Sequence, residues 1–121
     1  VKNMIKPKLI ALLKTTLGHN RVYGSVPAEG AVLPLVYLTE VANPILRDLS
    51  GDKESRPATW RLTFHVSDES TLPNIFASIE TLDNTKTSDF QRIFTQYVLT
   101  ETRAPGDLFT RAFYDIILSE A

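Results

Sequence analysis

Thr59-Trp60-Arg61-Leu62-Thr63-Phe64-His65-Val66-Ser67 alternates strictly between polar and apolar side chains. Successive side chains of a strand point to opposite faces, so Trp60, Leu62, Phe64 and Val66 line one buried face. Thr59, Arg61, Thr63, His65 and Ser67 line a wet one. A strand buried on both sides in a parallel sheet would read as an unbroken apolar run, so this pattern predicts a largely antiparallel sheet covered on one side.

Upstream, Leu35–Val41 is rich in β-branched and aromatic residues, and Pro34 sits at its start, where a missing donor is tolerated. Arg21–Gly24 reads as a short strand, followed by turn residues Pro27-Ala28-Glu29-Gly30. Before it, Ile5, Leu9, Leu12, Leu13 and Leu17 recur at helical spacing, with Pro7 in the first turn and Gly18 as a left-handed cap. Lys6, Lys8 and Lys14 fall on the wetter sides of that helix.

Downstream, a second helix is predicted to open at Ser70-Thr71 with Pro73 in its first turn. Leu72, Ile75, Phe76, Ile79 and Leu82 form its apolar stripe. Strands over about 91–101 and 108–119 follow, joined by a hairpin turn at Thr102–Asp107 whose centre is Pro105-Gly106. The expected fold is a single α+β domain over residues 1–121, in the order α-β-β-β-α-β-β. Its sheet is expected to be mainly antiparallel, of four to five strands, with both helices packed on one face.

The 121 residues suit one domain with one core. Thirteen basic and fourteen acidic residues give a net charge of −1, so no global field draws the chain to nucleic acid or to an anionic membrane. The absence of cysteine removes disulfides, thiolate zinc sites and cysteine nucleophiles together. Apolar runs are far shorter than the ~20 residues a spanning helix needs, and no signal peptide is expected from Val1–Lys6.

Catalytic and cofactor motifs are not found. His19 follows a helix end, where a protonated imidazole would complement the helix dipole. His65 is expected to be a solvated or interface residue. Ser67 and Asp68 follow it, but they form no nucleophile turn. No metal-ligand spacing and no Gly-rich phosphate loop occurs, so no catalytic residue, metal or cofactor is expected. Arg61, Arg92 and Arg111 with Phe94, Tyr97, Phe109 and Phe113 would suit a sheet that binds single-stranded RNA. The competing expectation is that these aromatics are core and the arginines solvated, with no nucleic-acid specificity.

The last strand carries Phe109, Arg111, Phe113, Asp115 and Ile117 on one side and Thr110, Ala112, Tyr114, Ile116 and Leu118 on the other. Both sides are too apolar for a bare surface, so a second subunit is expected to cover one of them. The other interaction candidate is the long charged loop over about 43–58, from which Arg47, Asp48, Asp52, Lys53, Glu54 and Arg56 are selected. Arg103 and Asp107, at the hairpin tip, come second.

Arg21-Val22-Tyr23-Gly24-Ser25-Val26-Pro27 and Leu33-Pro34-Leu35-Val36-Tyr37-Leu38, in that order, resemble the opening of the tail-terminator (tail-completion) proteins of long, non-contractile bacteriophage tails. Trp60–Val66 and Thr110–Leu118 are similar to that family's middle and closing strands. The resemblance covers nearly the whole chain. It implies a virion structural protein at the head-proximal end of the tail: a homo-oligomer, expected as a hexameric ring. Such a ring caps the tail tube protein, stops polymerisation and offers the docking surface for the head–tail connector or stopper. The family's loop often carries T-G-D/E-x-x-R, and Ser50-Gly51-Asp52-Lys53-Glu54-Ser55-Arg56 departs from it by one position. Another head–tail joining or neck protein is the nearest alternative. A sheet-based RNA-binding module and a small hydrolase using His65 are the readings from other classes.

Overall fold

A computed structural model describes residues 5–28, 30–41 and 58–120, with backbone alone at 119 and 120. Thus Arg47, Asp48, Asp52, Lys53, Glu54 and Arg56 lie outside the described residues. The elements are α1 (Ile5–Leu17), β1 (Val22–Tyr23), β2 (Leu35–Val41), β3 (Ala58–Val66), α2 (Leu72–Glu80), β4 (Phe90–Thr100) and β5 (Thr110–Glu120). The fold is α+β, in the predicted order.

The five strands form one mixed sheet in spatial order β1-β2-β3-β5-β4. Every pairing is antiparallel except β1 with β2, which is parallel. β5 returns from the hairpin to lie between β3 and β4, so the β3–α2–β4 connection crosses over it. β3 therefore pairs on both sides, with β2 and with β5, and becomes the centre of the molecule.

Both helices pack on the face that Trp60, Leu62, Phe64 and Val66 define. Leu9 and Leu13 of α1 and Leu72 and Ile79 of α2 join these four, with Val36, Leu38, Ile93, Tyr114, Ile116 and Leu118, in one buried cluster. Phe76 of α2 meets Phe64, Tyr97 and Tyr114 at ring separations of 6.0, 5.4 and 5.2 Å. At such distances tilted and edge-to-face rings add to plain apolar burial. Gly18 ends α1 at φ 78°, the left-handed conformation expected of it, and its N–H bonds the Lys14 carbonyl at 2.9 Å.

Some local expectations shift. A short 3₁₀ turn over Glu69–Thr71 precedes α2, and its cap is Asp68, whose carboxylate accepts from the Ser70 N–H at 3.0 Å. Leu82 lies past the end of α2 but still packs against the core. The lysines of α1 are less wet than predicted. The Lys6 stem lies where a side chain on Gly24 would collide with it, at 2.9 Å, and Lys8 Nζ is 3.9 Å from Asp89. Long lysine stems cover apolar surface while keeping the ammonium in water.

Candidate interaction face of the sheet

The period of two that buries one side of β3 directs the other side away from both helices. Strand register assembles that second face into four rows crossing β4, β5, β3 and β2. Phe94, Ile117, Thr59 and Val41 form the first; Gln96, Asp115, Arg61 and Thr39 the second. Leu99, Phe113, Thr63 and Tyr37 form the third. His65, Arg111 and Leu35 form the fourth, with Glu101 bonded to the Arg111 carbonyl through its N–H at 2.8 Å. Apolar and charged rows alternate.

Arg61 and Asp115, 54 residues apart in sequence, make a two-pronged ion pair at the middle of this face. Arg61 Nε donates to Asp115 Oδ1 at 2.8 Å and a terminal nitrogen donates to Oδ2 at 3.1 Å. The Asp115 side chain keeps 15% of its exposure and Arg61 39%. The bond to the carboxylate raises the guanidinium pKa above its ordinary range. In the fourth row Arg111 Nε donates to Glu101 Oε1 at 2.6 Å, and the carboxylate and the Tyr37 hydroxyl raise its pKa in turn. Arg61 and Arg111 are thus matched by carboxylates, whereas Arg92, opposite Ser119 at the margin of the same face, donates to the neutral Asn84 amide.

His65, expected as a solvated or interface residue, is part-buried within its own chain. Its ring stacks on Phe109 with centroids 4.1 Å apart and takes Tyr37 edge-on at 5.3 Å. Burial, with the nearby Arg111 cation, lowers its pKa, only partly offset by Glu101. Its Nε2 is buried without a hydrogen-bond partner among the described residues. His65 thus occupies an aromatic packing position on the open face. His19 is likewise corrected. Instead of a cation serving the helix dipole, its Nδ1 accepts the Arg21 N–H at 3.1 Å, which requires that nitrogen to be unprotonated. Burial and Arg21 lower its pKa. Thr63, expected to be wet, is only 3% exposed, because its cross-strand neighbours are the large rings of Tyr37 and Phe113.

The expectation that Phe94, Tyr97, Phe109 and Phe113 are core fails: none belongs to the buried cluster, and Phe109 and Phe113 are only part-buried. Phe94 and Tyr97 are 46% and 48% exposed, on opposite faces of an edge strand that has a neighbour on one side only along most of its length. Arg103 and Asp107 do come together at the hairpin tip. Arg103 donates to the Asp107 carbonyl at 3.3 Å and to the Ser67 carbonyl at 2.8 Å. The Asp107 carboxylate accepts the Ala104 N–H at 2.7 Å. Their polar atoms hold the turn and tie it to the end of β3.

A second feature sits at the β2–β3 corner of the face. Val26, Pro27, Leu33, Leu35, His65 and Phe109, among others, line a cleft of about 370 Å³ there. Leu108 and Val26 stand 81% and 69% exposed at its rim. Among the described residues no group of three or more histidines and carboxylates is placed to hold a metal ion. No helix among them is long and apolar enough to cross a membrane. No protein-family model and no curated protein sequence matches the chain.

Proposed function

We propose that this chain is a structural assembly protein of the tail-terminator kind, whose copies form a ring at the head-proximal end of a phage tail tube. The ring stops tube growth and presents the surface on which the head–tail connector docks, and no bond is made or broken. The observation that carries the reading is the sheet face opposite α1 and α2, with half-exposed Phe94 and Leu99 and its central Arg61 and Arg111 paired with carboxylates. A face meant for nucleic acid keeps guanidiniums available for phosphates and draws strength from released counterions. The centre of the face, where Arg61 and Arg111 are matched by carboxylates, is thus apolar and locally neutral, of the kind that protein subunits cover.

Light scattering coupled to size exclusion, followed by negative-stain microscopy of the purified protein, tests this. Six domains of this size, each about 35 Å across, would make a ring roughly 10 nm in outer diameter. Six-fold rings are the expected result, together with no salt-sensitive shift on adding single-stranded RNA. A strict monomer at high concentration, or tight salt-dependent RNA binding, would overturn the proposal.

A further inference from the structure

We infer that the apolar cleft lined by Val26, Leu33, Leu35 and Leu108 receives the Phe94 side chain of a second copy of this chain. On and around the open face the most exposed large apolar side chains fall into two sets. Val26 and Leu108 rim the cleft, with Val32 68% exposed beside it, and Phe94 and Leu99 stand on β4. The first set surrounds a hollow. Phe94 projects from the far margin of the sheet, flanked along its strand by Arg92, Ile93, Thr95 and Gln96.

The two cannot meet within one chain. Phe94 lies in the first row on β4, whereas Leu35 and His65 of the cleft lie in the fourth row on β2 and β3. Three row steps of about 7 Å and two or three strand spacings of about 4.8 Å separate them by more than 20 Å.

Charge and size favour a second copy over other occupants. Among the described residues the one ionisable group lining the cleft is His65, stacked on Phe109 and shifted by burial toward its neutral form. An aromatic side chain therefore enters without stripping water from a charge. A volume of about 370 Å³ admits a phenyl ring with room to spare. The four-row face between the two features measures on the order of 500 Å² in projection. With the cleft rim it approaches the ~800 Å² per partner of a standard protein interface. A small ligand in the cleft would leave most of that surface bare.

The chain's lack of cysteine makes the test clean. A Gln96→Cys, Val26→Cys double variant, which keeps Phe94 and places one cysteine beside it on β4, is treated with a short bis-maleimide linker that cannot span the distance within one chain. Light scattering of the wild-type protein runs in parallel. Covalent multimers are expected from the double variant at several times the yield of either single variant, and Ala31→Trp, which fills the cleft, is expected to abolish them. Circular dichroism of each variant confirms that it is folded. Oligomers of wild type with no cross-linking above the single-variant level would overturn this docking and leave the ring reading standing. Cross-linked pairs with a two-chain mass would support the docking and sink the ring. A wild-type monomer would overturn both.

Discussion

Replacing Arg61 by Met should lower the stability of the domain by about 2 kcal/mol. The change keeps most of the side chain's volume and removes its charge, leaving the Asp115 carboxylate with 15% of its side-chain surface in water and no cation beside it. Breaking a buried pair by removing one partner costs roughly 3–5 kcal/mol, whereas a fully exposed pair is worth ~0–1 kcal/mol. Arg61 itself is 39% exposed, so water can reach part of the abandoned site and the expected cost falls between these limits. With a urea slope of about 1.5 kcal/mol per molar, the unfolding midpoint should drop by about 1.3 M. The measurement is made at a protein concentration where light scattering shows one state for every variant. Arg61→Met with Asp115→Leu should recover most of the loss, since an apolar pair of similar volume needs no counter-charge. A double-mutant cycle over the four proteins isolates the pair from the rest of the packing. A single Arg61→Met variant within about 0.5 kcal/mol of wild type, the range of ordinary surface substitutions, would refute the placement of Asp115 in a desolvated part of the face.

Two further outcomes follow from the same geometry. Both histidines have folded-state pKa values below the ordinary imidazole range, so near pH 6.5 the unfolded chain binds more protons than the folded one. Their contribution is complete above that pH and declines as pH falls toward the folded values; urea midpoints from pH 7.5 to 5 should fall, and a His19→Gln, His65→Phe variant should flatten the slope. Asp107→Ala removes the acceptor of the Ala104 N–H and should cost about 1 kcal/mol. If Asp107 holds the hairpin, that loss appears in a denaturant titration while the oligomer mass is unchanged at concentrations where the variant is folded. A changed mass at unchanged stability would return Asp107 to the interaction surface.

Much of the architecture was legible because its signals are local. Apolar spacing marks both helices, Gly18 and Pro105-Gly106 punctuate the chain, and the alternation through Trp60, Leu62, Phe64 and Val66 identifies the buried face. The same alternation placed Arg61 and His65 on the opposite side. It could not say what they would meet there. A period of two assigns a residue to a face and is silent on which strand lies beside it. Arg61 meets Asp115 only because β5 enters between β3 and β4, and that choice is made by burying Ala112, Tyr114, Ile116 and Leu118 under the helices. The His65–Phe109 stack has the same origin, since Phe109 immediately precedes β5.

The sequence alone therefore determined that Thr59–Val66 forms a strand with one buried and one open side, and that the last strand carries apolar residues on both of its sides. Tertiary structure decided how the open side is charged. It converted Arg61 and Arg111 from prospective phosphate contacts into halves of ion pairs, and it changed His65 from a polar-face residue into part of an aromatic stack. The physical reason is that backbone periodicity acts over a few residues, whereas charge neutralisation and ring stacking depend on strand order, which only burial of the whole core selects.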